Sequence, residues 1–376
     1  MAERRLTVVQ LVPALDTGGV ERSTLEVAQA LVAAGHRSIV ISAGGRLVDA
    51  LVAAGSEHVK RTIGAKSLLT LRHIGALKRL FADIRPDIVH ARSRLPAWIA
   101  HFALAGAPHA GTHFVTTAHG LNSPGRYSAI MTRGERVIAV SHTVRDYLIA
   151  HYEIDPARIV VIPRGIDHDE FPYGHRPDPE WMRAFLAEHP ALAGAPLLTL
   201  PGRGTRLKGH ADAIELVAAL KARAIDTRLL LLGVVEPKRR AYVEELKRLA
   251  TERGVADRVV MSVPRSDVRD VYAASALVLQ LSNKPEAFGR TVVEALALCR
   301  PVLGYAHGGV GELLSELYPA GRVPFGDFGR LVERAAELLR LAPAIPPLKR
   351  YDLADMQRAT LALYAQLANG AVPAPN

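Results

Sequence analysis

Apolar residues follow two distinct patterns along the first part of the chain. Short runs of β-branched and other apolar residues predict strands, whereas apolar residues that recur every three or four positions predict helices. The predicted strands of this region are 6–12, 38–42, 87–91, 114–118, 136–140 and 158–162. The predicted helices are 23–34, 47–54, 67–84 and one that ends near 151. Strands that alternate with helices indicate a parallel sheet covered on both faces.

A proline-rich stretch interrupts this alternation, which then resumes. Prolines cluster with charged residues between 163 and 196, so we expect a linker over 166–195 with a short helix at 180–188. The strands predicted beyond it are 197–200, 228–232, 258–261, 277–281 and 301–305. The helices are 211–222, 239–253, 267–274, 291–299, 327–341 and 355–367. We therefore predict an α/β fold with two Rossmann-like, doubly wound domains, 1–165 and 196–350.

The bulk composition narrows the class of protein only slightly. The chain has 376 residues, of which 49% are hydrophobic, enough for more than one core. Its one cysteine, Cys299, cannot form an internal disulfide, which favours a reducing compartment. No apolar run is long enough to cross a bilayer, and Gln10 and Pro13 interrupt the apolar start of the chain as in a strand. We therefore expect a cytoplasmic protein.

The net charge of +10 is concentrated in one part of the chain. Between 51 and 136 the acidic residues are Glu57, Asp83, Asp87 and Glu135. The basic residues of the same segment are Lys60, Arg61, Lys66, Arg72, Lys78, Arg79, Arg85, Arg92, Arg94, Arg126, Arg133 and Arg136. Such a surface suits anionic lipid, a phosphorylated acceptor or nucleic acid, unless it is an ordinary solvated face. No nucleic-acid motif accompanies it, and aromatic residues make up only 5% of the chain.

The segment 284–296 carries the most specific pattern. Glu286 and Glu294 are separated by seven residues, and Phe288-Gly289 between them ends a polar loop. Apolar residues at helical spacing follow, so a helix start with free amide groups is expected near Gly289. A helix start binds anions, and the flanking carboxylates can accept hydroxyl groups. The pattern suits a sugar joined to a nucleotide by a diphosphate; otherwise Glu294 is a solvated residue of an amphipathic helix.

This segment resembles the C-terminal signature of retaining glycosyltransferases of the GT-B fold, family 4. The resemblance implies that Glu286 contacts the donor sugar and that Glu294 holds the ribose hydroxyls. The amides of Phe288 and Gly289 would face the sugar and the phosphate. It also implies that the two domains face a central cleft, and that a helix within 355–370 crosses back to the first, acceptor-binding domain. The implied donor is a nucleotide-diphosphate sugar, with a UDP-sugar favoured, and neither a metal nor another cofactor is required.

A second loop could meet the diphosphate. Arg203 and Lys208 have four residues between them and lie in a glycine-rich loop after a predicted strand. Arginine can bind phosphate through two parallel N–H groups, and lysine acts as a point charge. The spacing matches a cation pair of the family, which implies that both residues neutralise the departing diphosphate.

Three further positions have less specific patterns. Gly18 and Gly19 follow the first strand and either form an ordinary turn or permit close contact with phosphate or sugar. The resemblance implies that they face the donor. His119 ends a strand, where it is either structural or, as the family implies, near the reacting carbon. The loop at Arg265 either caps a helix or, by resemblance, holds the nucleotide base with backbone groups.

The predicted function is transfer of a sugar, with retention, from a nucleotide sugar to an acceptor. The predicted catalytic residues are Arg203, Lys208, Glu286 and His119. The glycine loop and the signature are similar to those of lipopolysaccharide-core members, which favours a glycolipid or oligosaccharide acceptor of the bacterial envelope and peripheral attachment to the inner membrane. Two alternatives are a non-hydrolysing nucleotide-sugar epimerase of the same fold and, from another class, a basic protein that binds nucleic acid or membrane.

Overall fold

The computed structural model describes residues 4–16, 18–105 and 111–370. The chain divides into two compact units. The first runs to Gly165 and takes up the chain again from Leu353, and the second is Ile166–Asp352. Residues 166–195, which we expected to form a linker, are counted within the second unit. Of the described helices, none is both long and apolar enough to cross a membrane.

Strands and helices follow each other along nearly the whole described chain. The strands are β1 (Thr7–Leu11), β2 (Arg37–Ser42), β3 (Glu57–Lys60), β4 (Ile88–Ala91), β5 (His113–Ala118), β6 (Arg136–Ala139), β7 (Ile159–Val161), β8 (Leu197–Pro201), β9 (Arg228–Leu232), β10 (Val259–Met261), β11 (Leu277–Gln280), β12 (Val302–Tyr305) and β13 (Arg322–Val323). The helices are α1 (Gly19–Ala33), α2 (Val48–Ala53), α3 (Arg72–Ile84), α4 (Arg94–Leu104), α5 (His142–His151), α6 (Pro179–Glu188), α7 (His210–Ala222), α8 (Arg240–Glu252), α9 (Val268–Ala274), α10 (Arg290–Ala297), α11 (Gly308–Leu317), α12 (Phe328–Leu341) and α13 (Leu353–Ala368).

The two sheets are parallel and doubly wound. The first has the strand order β3-β2-β1-β4-β5-β6-β7 and the second β10-β9-β8-β11-β12-β13. The strand order reverses between β1 and β4 in one sheet and between β8 and β11 in the other. Ligands of such sheets bind at the carboxyl ends of the strands next to this reversal. The predicted α/β fold with two Rossmann-like domains is confirmed.

Some elements depart from the sequence-based prediction. The helix expected to begin at residue 23 begins at Gly19, because the second glycine of the predicted loop already forms the first helical turn. The strand β3 was not predicted, since it is a half-exposed edge strand without an apolar run. The helix α4 was also not predicted. Pro96 lies in its first turn, where a proline is tolerated because first-turn amides need no partner within the helix.

The final helix completes the core of the first unit. Met356, Leu363 and Tyr364 of α13 are buried in one cluster with apolar residues of β1, β4 and β5 and of α1. The opposite face of this sheet packs against α3 and α4, with Phe81 and Ile99 buried there. Apolar residues on both faces of the strands explain why the strands read as continuous hydrophobic runs.

Candidate functional site

A glycine holds the loop after β8 against the end of β11. Gly209 has a φ of 75°, and a Cβ atom at this position would lie 2.0 Å from the carbonyl oxygen of Leu281. A side chain would therefore displace the backbone there. The amide of Asn283 also donates to the carbonyl of Leu207 at 2.9 Å. The loop that carries the predicted cations is thus fixed beside the loop that begins the predicted signature.

Lys208 and Glu286 meet across these two loops. Lys208 Nζ donates to Glu286 Oε1 at 2.7 Å, and the hydroxyl of Ser282 donates to the same oxygen. His307 follows β12, and its Nε2 lies 2.6 Å from the carbonyl oxygen of Ser282. The backbone of Glu286 is fixed as well, because its carbonyl accepts the amide of Gly309 at 2.7 Å. The carboxyl ends of β8, β11 and β12 therefore form one polar cluster.

The cluster includes Ser282, which was not predicted, and does not include Arg203, which was predicted. Ser282 lies two residues past the end of β11, a strand beside the reversal, which is the signal that identifies it. The loop 307–312 was expected near the donor pocket, because it resembles a Gly-Gly loop of the family. Arg203 is exposed, and its side chain forms no hydrogen bond with any residue that the structure describes. Its guanidinium is therefore accessible to a ligand.

The signature helix is α10, and it begins at Arg290 rather than at Thr291. Its N-cap, Gly289, has a φ of 108°, and a Cβ there would lie 2.8 Å from Val310 Cγ2. Glu294 is 7% exposed, and its Oε1 lies 3.0 Å from Arg290 Nε. The first amides of a helix have no partner within it and attract anions. An anion-binding helix start thus follows directly on the loop of Glu286.

Two predicted donor-binding residues have side chains engaged within the second unit. Phe288 is buried, and its ring meets that of Tyr351 edge to face with a centroid distance of 5.7 Å. Arg265 donates to Asp267 and to Glu188, each at 2.8 Å, and the hydrogen bonds to Asp267 raise the pKa of its guanidinium. Any contact that these residues make with a donor would therefore come from the backbone.

The first unit holds a cavity of about 300 Å³ at the carboxyl ends of β1, β4 and β5. Arg92, Ser93 and Arg94 line it from the start of α4, and Thr117 and His119 line it from the end of β5. The cavity lies where the strand order of the first sheet reverses. It therefore occupies the place where a doubly wound sheet binds its ligand.

His119 is a neutral hydrogen-bond donor in this cavity. Its Nδ1 accepts from the guanidinium of Arg164, so the ring proton is on Nε2. Burial, together with the charges of Arg164 and Arg92, holds the pKa of His119 well below 6.5. Nε2 is buried and has no hydrogen-bond partner among the described residues. The imidazole is thus uncharged, and its Nε2–H group is buried beside the cavity.

The glycine loop lies beside the same cavity. Gly18 precedes α1 with a φ of 154°, and a Cβ on it would lie 2.4 Å from Glu21 Oε2. A Cβ on Gly19 would meet nothing within 4 Å. Glu21 itself lines the cavity. The space above Gly19 is therefore open, and no packing within the unit requires a glycine there.

Two parallel, doubly wound sheets, each with polar residues at its strand reversal, match the architecture of glycosyltransferases of the GT-B type. Two family models agree with this class. "Glycosyltransferase Family 4" matches residues 17–170, and "Glycosyl transferases group 1" matches residues 184–349. The chain belongs to the GT-B glycosyltransferases of these families.

Curated relatives match part of the chain. The "D-inositol 3-phosphate glycosyltransferase" of Rhodococcus opacus (strain B4) is 32% identical over 186 residues, which are 48% of this chain and 40% of the relative. The "D-inositol 3-phosphate glycosyltransferase 1" of Catenulispora acidiphila is 29% identical over 266 residues, 63% of this chain and 62% of the relative. The chain thus matches less than two thirds of the length of these relatives.

Solved structures match over nearly the whole chain. A glycosyltransferase from Rickettsia africae ESF-5 has a TM-score of 0.86 and 27% identity, covering 97% of this chain and 99% of its own. Anabaena Alr3699/HepE in complex with UDP-glucose has a TM-score of 0.78 and 19% identity, with coverages of 96% and 100%. WaaG, a glycosyltransferase involved in lipopolysaccharide biosynthesis, has a TM-score of 0.67 and 19% identity, with coverages of 96% and 94%. The last two likenesses establish the fold alone.

Proposed function

We propose that this protein is a retaining hexosyltransferase that uses a nucleotide-diphosphate sugar, with UDP as the nucleotide. The second unit would bind the donor, and the first unit would bind the acceptor. The acceptor is a glycolipid or oligosaccharide of the bacterial envelope, with the lipopolysaccharide core as the first candidate. Support for the donor class comes from HepE, whose structure contains UDP-glucose.

The observation that carries this proposal is the contact between Lys208 and Glu286 beside the start of α10. A diphosphate needs cations and amide groups, and a sugar needs hydrogen-bond acceptors for its hydroxyl groups. Lys208 supplies the cation, the start of α10 supplies amides, and Glu286 supplies a carboxylate 2.7 Å from Lys208 Nζ. A molecule with a diphosphate joined to a sugar would engage all of these groups together.

The proposed reaction exchanges one bond at the anomeric carbon of the sugar. The bond from this carbon to the diphosphate oxygen breaks, and a bond to the acceptor oxygen forms on the same face. The proton of the acceptor hydroxyl passes to the departing diphosphate oxygen. Negative charge develops on the diphosphate as it leaves, so Arg203, Lys208 and the helix start would stabilise the transition state more than the ground state. His119, being neutral, would not oppose the positive charge that develops on the sugar.

Two acceptor classes have support from relatives. WaaG takes part in lipopolysaccharide biosynthesis, and the curated relatives bear the name of D-inositol 3-phosphate. When the protein is incubated with a UDP-sugar and either an envelope glycolipid or an inositol phosphate, we expect a product. Mass spectrometry should show that the mass of the acceptor has increased by one hexose. Conversion of the donor in the absence of any acceptor would instead indicate the alternative function, a nucleotide-sugar epimerase. Absence of product and of donor conversion across the panel would contradict the proposal.

We also propose that the basic segment 51–136 attaches the first unit to an anionic membrane. Arg72, Lys78 and Arg79 are exposed on α3, and the turn before this helix leaves Leu69 68% and Leu71 51% exposed. Basic residues attract anionic headgroups, and adjacent apolar side chains can enter the boundary of the acyl chains. This surface would bring the enzyme to a lipid-linked acceptor.

The membrane proposal predicts sedimentation with anionic liposomes that falls as salt rises. Each cation near an anionic bilayer contributes about 1 kcal/mol, so changing Arg72, Lys78 and Arg79 to Glu should abolish sedimentation at physiological salt. The matched control changes three exposed cations of the second unit to Glu, namely Lys238, Arg240 and Arg248. If the protein pellets equally with neutral and anionic liposomes, the basic segment is only a solvated face. The same conclusion follows if the control variant loses as much sedimentation as the variant of α3.

A further inference from the structure

The two carboxylate oxygens of Glu286 have different surroundings in the second unit. Oε1 accepts from Lys208 Nζ at 2.7 Å and from the hydroxyl of Ser282, so both of its lone pairs are used. Oε2 forms no hydrogen bond with any residue that the structure describes, and it is not enclosed, because the side chain is 23% exposed. Glu286 therefore offers one oxygen that the protein fixes and one that can accept a hydroxyl group of a ligand.

Ser282 is itself held in place by His307. The Nε2 atom of His307 lies 2.6 Å from the carbonyl oxygen of Ser282, and since a carbonyl only accepts, Nε2 carries the proton and donates. The imidazole is stacked on the ring of Phe325, with a centroid distance of 4.5 Å and an angle of 14° between the planes. Ser282 is only 4% exposed. The hydroxyl that reaches Glu286 thus comes from a buried residue whose backbone is anchored by a side chain of another loop.

Lys208 has two anionic partners to choose from once a sugar nucleotide is bound. In this structure its ammonium group donates to Glu286, but the proposed function also gives it the diphosphate. A lysine is a point charge on a flexible stem, so it can move to the stronger anion. The hydroxyl of Ser282 is uncharged and gains little from a diphosphate, so it stays on the carboxylate. Ser282 would then hold Glu286 while Lys208 turns to the phosphate.

We propose that Ser282 is a positioning residue for sugar recognition, which keeps Oε2 of Glu286 directed at a hydroxyl group of the transferred sugar while Lys208 binds the diphosphate. This inference rests on the proposed function, because it takes a nucleotide-diphosphate sugar as the ligand. A site built to bond a hydroxyl group rejects ligands that lack it, since its own polar group is then left without a partner. Ser282 thereby contributes to the preference for one sugar through Glu286.

Binding of sugar nucleotides without an acceptor tests this role. The probes are UDP-glucose, UDP-galactose and UDP-N-acetylglucosamine, each compared with UDP by calorimetry. Ser282→Ala should leave the affinity for UDP unchanged and weaken the best-bound sugar nucleotide about 10-fold, near the lower end of the range for a hydrogen bond to a charged group. The matched control is Ser275→Ala, because Ser275 is also buried, precedes the opposite end of β11, and bonds Thr199 and Val271. Its affinities for UDP and for the sugar nucleotide should both match wild type.

A double substitution separates positioning from a general effect on the fold. Ser282 acts through Glu286 in this proposal, so adding Ser282→Ala to Glu286→Gln should cause no further loss of affinity for the sugar nucleotide. The inference would be overturned if Ser282→Ala weakens UDP and the sugar nucleotide equally, or leaves both affinities unchanged. A further loss in the double variant would also overturn it.

Failure of the proposed function gives a different result. If Glu286→Gln weakens sugar-nucleotide binding but Ser282→Ala does not, the donor site stands and only the role of Ser282 is refuted. If none of the three sugar nucleotides binds, the proposed donor class is wrong, and the inference fails with it.

Discussion

Lys208→Ala should lower turnover about 10²–10³-fold, the loss expected when one preorganised partner of a developing charge is removed. Lys208 already lies 2.7 Å from Glu286 beside the start of α10, so little rearrangement is needed before it meets a departing diphosphate. Arg203→Ala should have an effect of similar size, because this exposed guanidinium can reach a ligand without giving up another contact. Both losses should appear in kcat, measured at saturating donor by release of the nucleotide diphosphate.

Arg206→Ala is the matched control for these two variants. Arg206 lies in the same loop and carries the same charge, but it is exposed, pairs with Glu245 and lies over the ring of Tyr242. Its removal should leave kcat nearly unchanged, because exposed ion pairs contribute little. Full activity of Lys208→Ala, or a loss in Arg206→Ala as large as in Lys208→Ala, would contradict the assignment of the leaving-group site.

Substitution of the two glutamates of the signature should affect UDP binding differently. Glu294→Gln should weaken binding of free UDP about 10- to 100-fold, because a hydrogen bond to a charged group is lost. Glu286→Gln should spare UDP binding and impair turnover of the sugar nucleotide. Its partner Lys208 stays cationic and, once freed from the carboxylate, remains able to bind phosphate. Calorimetry with UDP alone, followed by kinetics with the donor, measures both effects.

The contact between Glu294 and Arg290 calls for its own control. Glu294 could act only by holding α10 together, since its Oε1 lies 3.0 Å from Arg290 Nε. Arg290→Met breaks the same contact but keeps the carboxylate. If Arg290→Met weakens UDP binding as much as Glu294→Gln does, the glutamate is structural rather than a ligand of the ribose. Equal UDP affinities of Glu286→Gln and Glu294→Gln would equally refute the division of roles.

Sequence patterns predicted the fold well because the strands of both sheets are buried on two faces. Such strands appear as continuous apolar runs, as in β1 and β9, and these were predicted. The edge strand β3 escaped prediction because only one of its sides pairs with a neighbour and three of its four residues are polar. The start of α1 was predicted at residue 23, too late, because glycine usually ends regular structure, whereas Gly19 begins this helix.

Site residues were predictable only where a motif fixes their spacing. Lys208 and Glu286 were each predicted, but the 2.7 Å contact between them joins two loops 78 residues apart, and no local pattern encodes that distance. Ser282 could not be recognised for the same reason, because its place in the cluster arises from the order of strands in the sheet. The engagement of Arg265 with Asp267 and Glu188 likewise depends on tertiary packing rather than on spacing.

The position of α13 has a consequence for the folding of this chain during its own translation. The second unit is one continuous segment and is complete once Asp352 has been translated, whereas the first unit lacks α13 until Ala368 follows. At about 5–20 residues per second, roughly 10 to 40 seconds separate the synthesis of Gly165 from that of Ala368. During this interval the apolar residues that α13 will cover, among them Val8 and Ile88, are without their cover. Exposed apolar surface of this kind promotes aggregation, so the first unit is prone to aggregate while α13 is still missing.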